Sequence, residues 1–253
     1  MTFSFFLYPL SMVQVILNAM LINSADSVNF LRECQVISMM EVLCCRHSQV
    51  DYLKRRLVSL GIVQPFAEGE NLANVCGWAS VVCDDNQLVT VIAWGYFQNH
   101  KRNIINLDWL PPTLTRVDIT FGAYPKQRFD TRLWPRNLRS ATFTECGMRG
   151  SIDLRTLPEK METLNLSFNE LSGTVHLTEL PPRISKIDIN HNNIEKVVVS
   201  NGELPKTLKK VNFLVNKKAR AVCLDGRTLD QRVRIMHEVL IREPKRKVYM
   251  PGS

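Results

Sequence analysis

The residues best suited to chemistry in this chain are seven cysteines and five histidines, and their spacing limits what they could do. The cysteines stand at 34, 44, 45, 76, 83, 146 and 223 without a C-x-x-C pair, so zinc-ribbon and thioredoxin-like readings lose their main support. His47, His100, His176, His191 and His237 are scattered singly, with no nucleophile motif beside any of them. No phosphate-cradling glycine loop, H-E-x-x-H, G-x-S-x-G or dinucleotide fingerprint occurs. The expectation is a chain that is not an enzyme, with no catalytic residues, metal, cofactor or small-molecule substrate.

What recurs instead is a series of side chains suited to recognition. Asp118, Thr142, Asn165, Asp188 and Asn212, preceded by Ala93, form one polar series. Phe121, Glu145, Phe168 and His191, flanked by Tyr96 and Val215, form a second that is rich in aromatics. Aromatics beside short polar groups suit a protein or peptide surface, because they supply contact area at little entropic cost. A competing reading tucks the aromatic series into a turn as packing. The polar series has no evident structural duty in the sequence and is the stronger candidate for partner contact.

These side chains can act together only if the chain stacks them, and the sequence has the period to do so. Leu-Pro or its near equivalent falls at Leu110-Pro111, Trp134-Pro135, Leu157-Pro158, Leu180-Pro181 and Leu204-Pro205, with successive prolines 24, 23, 23 and 24 residues apart. After each proline the pattern L-x-x-L-x-L returns: Leu114, Val117, Ile119; Leu138, Ala141, Phe143; Met161, Leu164, Leu166; Ile184, Ile187, Ile189; Leu208, Val211, Phe213. An earlier copy is Val89, Ile92, Trp94. The last two apolar positions alternate with polar ones, as a short strand with one buried face requires. Three positions further on stand Cys146, Asn169, Asn192 and Asn216, side chains able to satisfy backbone groups inside a stacked turn; Phe97 and Gly122 take that slot in earlier copies. A second alternating segment, Met148 to Leu154 and Leu171 to Leu177, predicts an outer strand after Gly150 and Gly173.

A constant period of this length is the signature of leucine-rich repeats. Upstream, Cys76-Gly-Trp78-Ala-Ser-Val81-Val-Cys83 resembles the amino-terminal cap of plant-receptor-type extracellular leucine-rich repeat proteins. That resemblance implies that Cys76 and Cys83 pair, that Trp78 packs over the first coil, and that the compartment is oxidising. The Leu-Pro return with G-x-I/V-x-L is similar to the leucine-rich repeat proteins of kinetoplastid protists. The fold expected is an α/β repeat solenoid, a leucine-rich repeat horseshoe with short parallel strands on the concave face, a mostly non-helical convex side and helical caps at both ends.

The domain expectation follows in chain order. Residues 1–25 are apolar and read either as a secretory signal cleaved after Ala25 or as a retained helix or anchor. Residues 26–46 are unassigned but helical in tendency, and 47–88 form the first cap, with a capping box at Ser48-Gln-Val-Asp51 and Val50, Leu53, Leu57 and Leu60 on one helical face. About six repeats fill 89–226. A cap helix over 227–243 is suggested by Thr228-Leu-Asp-Gln231 and by the helical spacing of Leu229, Val233, Met236 and Leu240, and a basic tail occupies 244–253.

The partner expected is a protein or peptide held on the concave face of a secreted or cell-surface solenoid. A net charge of +8, an isoelectric point near 9.2, and Arg116, Lys186 and Lys210 in one exposed series keep nucleic-acid binding as the alternative. A fixed subunit of a larger assembly is a further alternative. Membrane contact enters only if the apolar start is retained.

Overall fold

The computed structural model describes residues 25–43, 58, 73–95, 105–122, 130–215, 220–226 and 228–237. Each L-x-x-L-x-L segment is a strand of one long sheet: β2 (Val89–Trp94), β3 (Arg116–Thr120), β4 (Ser140–Thr144), β6 (Thr163–Asn165), β8 (Lys186–Asp188) and β10 (Lys210–Val215). They lie side by side in chain order, all parallel, with β1 (Val81–Cys83) antiparallel on β2 and β12 (Val233–His237) parallel on β10. A second sheet runs β5 (Arg149–Gly150), β7 (Glu170–His176), β9 (Asn193–Val199) and β11 (Arg220–Cys223), also parallel; the strand expected after Gly150 instead ends at that glycine, the one expected after Gly173 begins before it, and β9 and β11 form without a glycine. The architecture is a parallel β-solenoid.

The register explains why the repeat period is so constant. Ile92, Val117, Ala141, Leu164, Ile187 and Val211 face one another on successive strands and are at most 1% exposed. An insertion of one residue within a strand would turn the apolar residues beyond it outward, because side chains alternate along a strand, whereas the segments between strands absorb the difference between 23- and 24-residue repeats. The Leu-Pro return is built the same way five times: the carbonyls of Pro111, Pro135, Pro158, Pro181 and Pro205 accept from the amides of Leu114, Leu138, Met161, Ile184 and Leu208. Short 3-10 turns at Leu107–Trp109, Thr131–Leu133, Leu154–Thr156 and Asn201–Glu203 lead into four of these returns. Asn106, Asp130 and Asp153 cap three of them by accepting a backbone N–H with the side chain.

Where the chain leaves the sheet, backbone groups are turned inward and need partners. Asn169 accepts from the amides of Cys146 and Met148, and its Nδ2 donates to the carbonyls of Phe143, Leu166 and Ser167. Asn192 repeats the arrangement one coil later, accepting from Leu171 and donating to Leu166, Ile189 and Asn190. Cys146 makes the shorter version, its thiol donating to the carbonyls of Ile119 and Thr144. Gly122 holds the slot one coil earlier because a Cβ there would lie 2.2 Å from Ile105 Cδ1, so an apolar side chain already fills the space.

At the amino-terminal end Cys76 and Cys83 are joined by a disulfide, and Trp78 is buried beside them. The helix that covers the first coil is α1 (Ala25–Val42), in the segment left unassigned by its sequence. Met39, Val42 and Leu43 are buried against the core, and Gln35 acts as a peptide unit, accepting from Val89 N and donating to the carbonyl of Gln87. Val42 O accepts from Asn106 N, which ties the end of α1 to the second coil.

The carboxyl-terminal cap helix expected over 227–243 is overturned where the chain is described. Residues 228–232 are non-helical and Val233–His237 is strand β12, a seventh parallel strand in register with β10. Aligned on Leu208, Val211 and Phe213, this coil reads Asp230, Val233, Ile235, so an aspartate replaces the leading leucine. Asp230 accepts from the amide and the guanidinium of Arg232, and Arg232 also donates to the carbonyls of Pro205 and Leu208. An ion pair thus stands where the helical spacing of Leu229, Val233 and Met236 suggested a cap. Residues 1–24, the helix expected near Ser48 apart from Val58, Cys44, Cys45, Tyr96, Phe97, Asn216, Leu240 and the basic tail lie outside the described residues. Among the described residues no helix is long and apolar enough to cross a membrane.

Replacing Asn169 by Ala leaves several buried backbone groups unpaired and should cost about 3 kcal/mol or more in urea unfolding. Arg232 holds the Asp230 carboxyl below the usual carboxylate range, at about 2, chiefly by side-chain hydrogen bonding. Its folded value lies under its unfolded one, so its contribution is complete above the unfolded value and disappears as pH falls from about 4 to about 2. Asp230→Asn should lower the urea midpoint at neutral pH and flatten that acid limb; an unaltered limb would assign it to other carboxylates.

Candidate functional site

With the inward positions of the long sheet sealed, its outward positions form an exposed face of side-chain columns. Asp118, Thr142, Asn165, Asp188 and Asn212 are paired in register across β3, β4, β6, β8 and β10, and Arg234 on β12 continues the column. Neighbouring members sit on strands about 4.8 Å apart, close enough for one partner segment to touch several. The structure therefore brings the proposed polar residues together.

It also gives three of them structural duties that the sequence concealed. Asn165 Oδ1 accepts from both the amide and the hydroxyl of Ser167, at 3.0 and 2.7 Å, which closes the turn after β6. Asp188 closes the next turn through Asn190 N at 3.2 Å, and its other oxygen accepts from Asn212 Nδ2 at 3.0 Å. Aspartate and asparagine do this readily, since their short side chains reach a backbone amide two residues on. Asp118 stands differently, in an exposed pair with Arg116 at 3.4 Å. Asn212 is only 5% exposed, and with its amide nitrogen committed to Asp188 its Oδ1 is buried without a donor. Asn190 Oδ1 is in the same condition.

The aromatic column lies at the end of the strands, where the backbone turns. Phe121, Glu145, Phe168 and His191 all have positive φ, between 53° and 60°. Four consecutive coils share this conformation, so it belongs to the turn. Glycine is the cheapest occupant of such a position, and L side chains with a Cβ cost about 1 kcal/mol or more there. The chain nevertheless places large side chains at it. Phe168 is 49% exposed and stacks on His191 with ring centroids 4.1 Å apart and planes 13° apart. The reading that tucks this column away as packing does not describe Phe168, whose ring is half in solvent.

Other parts of the molecule offer less. A polar cavity of about 220 Å³ opens between the 3-10 turns and the second sheet, with His176, Thr174 and Ser151 on its wall. Part of its polar lining is internally engaged: Arg155 pairs with Asp153 at 2.8 Å and holds that carboxyl below its usual range, and the hydroxyls of Thr131 and Thr156 bond to each other. Burial pushes the Cys146 thiol up to about 12, which keeps it protonated and unreactive. Cys34 is also free and buried, and Cys223 is free and half-buried. Among the described residues no group of three His, Cys, Asp or Glu side chains could hold a metal ion.

The two columns should separate in stability measurements. Phe168→Gly exchanges a strained left-handed phenylalanine for the residue that tolerates the conformation, and should leave the urea midpoint unchanged or slightly raised. Asp188→Ala removes the acceptor of Asn190 N and Asn212 Nδ2 and should cost about 1 to 2 kcal/mol. A large loss from Phe168→Gly would make that ring a packing element after all.

No family model matches this chain, and no curated protein does. Among solved structures, a plant ice-binding protein is similar at a TM-score of 0.47 and 15% identity, over 73% of this chain and 57% of that one. A pollen receptor kinase 3 is similar at a TM-score of 0.30 and 17% identity, over 62% of this chain and 81% of that one. The chain thus spans little more than half of the ice-binding protein.

Proposed function

We propose that this chain is a leucine-rich repeat protein, secreted or displayed at a cell surface, that captures a protein or peptide partner on the exposed face of its long sheet. The observation that carries the reading is the Phe168–His191 stack. A ring half in solvent, held in a backbone conformation that disfavours it, adds little to the fold and offers a rigid apolar anchor to a partner. Asp118, Thr142 and Glu145 extend the same face toward the amino-terminal coils. Phe121 belongs to this column as well.

The extracellular part of the proposal rests on the Cys76–Cys83 disulfide, since such bonds persist in oxidising compartments, and on the apolar first segment read as a signal. The turn-closing bonds of Asn165 and Asp188 decide which variant makes a clean test. Substituting Asn165 and Asp188 disturbs the turns, whereas Phe168 and His191 can be changed without removing any backbone hydrogen bond. The tagged full-length chain, cross-linked to partners from its own source, should recover a protein that is lost with Phe168→Gly combined with His191→Gly at unchanged urea midpoint. Equal recovery by the doubly substituted chain would move the site off this face.

A further inference from the structure

We infer that the partner segment is acidic and seats on the carboxyl-terminal coils of the long sheet, against Lys186, Lys210 and Arg234; this rests on the reading of that face as the partner site. The charge of the solenoid is unevenly divided. Residues 73–180 carry eleven lysines and arginines against eleven acidic residues, whereas residues 181–237 carry twelve against five. The first stretch also neutralises itself locally, with Arg116, Arg139, Arg149 and Arg155 in ion pairs with Asp118, Glu162, Glu170 and Asp153. In the second stretch, among the described residues, Arg232 is paired with Asp230, while Lys186, Lys210 and Arg234 have no carboxylate within ion-pair distance.

The two lysines stand against each other as Lys196 and Arg220 do on the second sheet, but on the face that carries the aromatic column. Lys210 faces Lys186 in register on adjacent parallel strands, and like charges directly opposite each other destabilise a sheet. No buried group is satisfied by either. A carboxylate lying across both would turn that repulsion into attraction, and an extended acidic segment offers side chains on one face at every second residue.

The neighbours of this cationic patch distinguish a peptide from a polyanion. Phe168 and His191 provide a stacked ring surface at the turns after β6 and β8, and Glu145 and Asp188 interrupt the positive charge. A chain alternating acidic side chains with an occasional ring meets both; a continuous phosphate or sulfate backbone would be repelled by Glu145 and Asp188. The partner chemistry is that of an acidic peptide with at least one aromatic or large apolar residue.

The test uses the full chain and fluorescence anisotropy with four labelled probes: a peptide alternating Glu and Tyr, its Lys and Tyr counterpart, a generic single-stranded RNA, and heparin. The Glu and Tyr peptide should bind saturably and the Lys and Tyr peptide should not. Lys186→Ser with Lys210→Ser should weaken the acidic peptide about tenfold or more, and Phe168→Gly should weaken it as well. Lys196→Ser with Arg220→Ser, an equal loss of charge on the second sheet, should change it little. No saturable binding of the Glu and Tyr peptide, or binding indifferent to Lys186 and Lys210, overturns the inference. Tighter binding of RNA or heparin that survives Phe168→Gly overturns it in favour of a polyanion. A cross-linked partner that depends on Phe168 but not on the lysines would leave the proposed function standing and remove only its acidic character.

Discussion

A single coil of this protein cannot satisfy its own backbone. Its strand has hydrogen-bonding groups along both edges, its turns direct carbonyls and amides inward, and its few apolar side chains do not outweigh the entropy of ordering some 23 residues. All three problems are solved by the next coil. The Thr115 amide bonds to Thr90, Glu162 to Arg139, Ser185 to Glu162 and Lys209 to Ser185, each crossing from one coil to its neighbour. Asn169 and Asn192 do the same inside the turns, each linking backbone groups of its own coil with those of the coil before. Stability in such an array is a sum of junctions, so the two ends are where the design must change.

The ends change in different ways. At the first coil the sheet is closed by an antiparallel strand beside the disulfide, and α1 lays Gln35 along the backbone of residues 87–89 as a substitute for a further strand. At the far end the leading leucine gives way to Asp230, whose partner Arg232 reaches back to two carbonyls of the preceding coil. An apolar position has become a polar one where less core remains to be covered. The same logic separates the residues of the exposed face. Those that close turns, Asn165 and Asp188, serve the stack, while Phe168, His191, Lys186 and Lys210 leave no backbone group unsatisfied when removed and are free to serve a partner.

The repeated part of the molecule was legible from sequence because each buried position recurs at a fixed interval and in the same chemical class. The strands at 89, 116, 140, 163, 186 and 210 and the asparagine slot follow from that regularity, as does the existence of an outer strand near Gly150 and Gly173, though not its bounds. The last coil was hidden because Asp230 breaks the pattern at its first position, and Leu229, Val233 and Met236 happen to fall three or four residues apart, which imitates a helix. The covering role of α1 was hidden as well, since its contacts with residues 87–89 and 106 are made across more than fifty residues and leave no periodic trace. Within the candidate site, spacing placed the columns correctly but could not show that Asn165 and Asp188 hold turns or that the Phe121 column is left-handed. Those facts depend on backbone angles, and the residue types gave no hint, because the left-handed positions carry phenylalanine, glutamate and histidine where glycine or asparagine would have signalled them.

Backbone groups turned into the interior are satisfied by side chains of the neighbouring coil. Amide hydrogen exchange followed residue by residue tests it directly on the native chain. The amides of Cys146, Met148 and Leu171, which bond to Asn169 and Asn192, should exchange as slowly as the sheet amides of Leu164 and Ile187, and those of Cys146 and Met148 should lose that protection when Asn169 is replaced. Rapid exchange at Cys146, Met148 and Leu171 in the intact protein, at the rate of an exposed turn, would contradict the account.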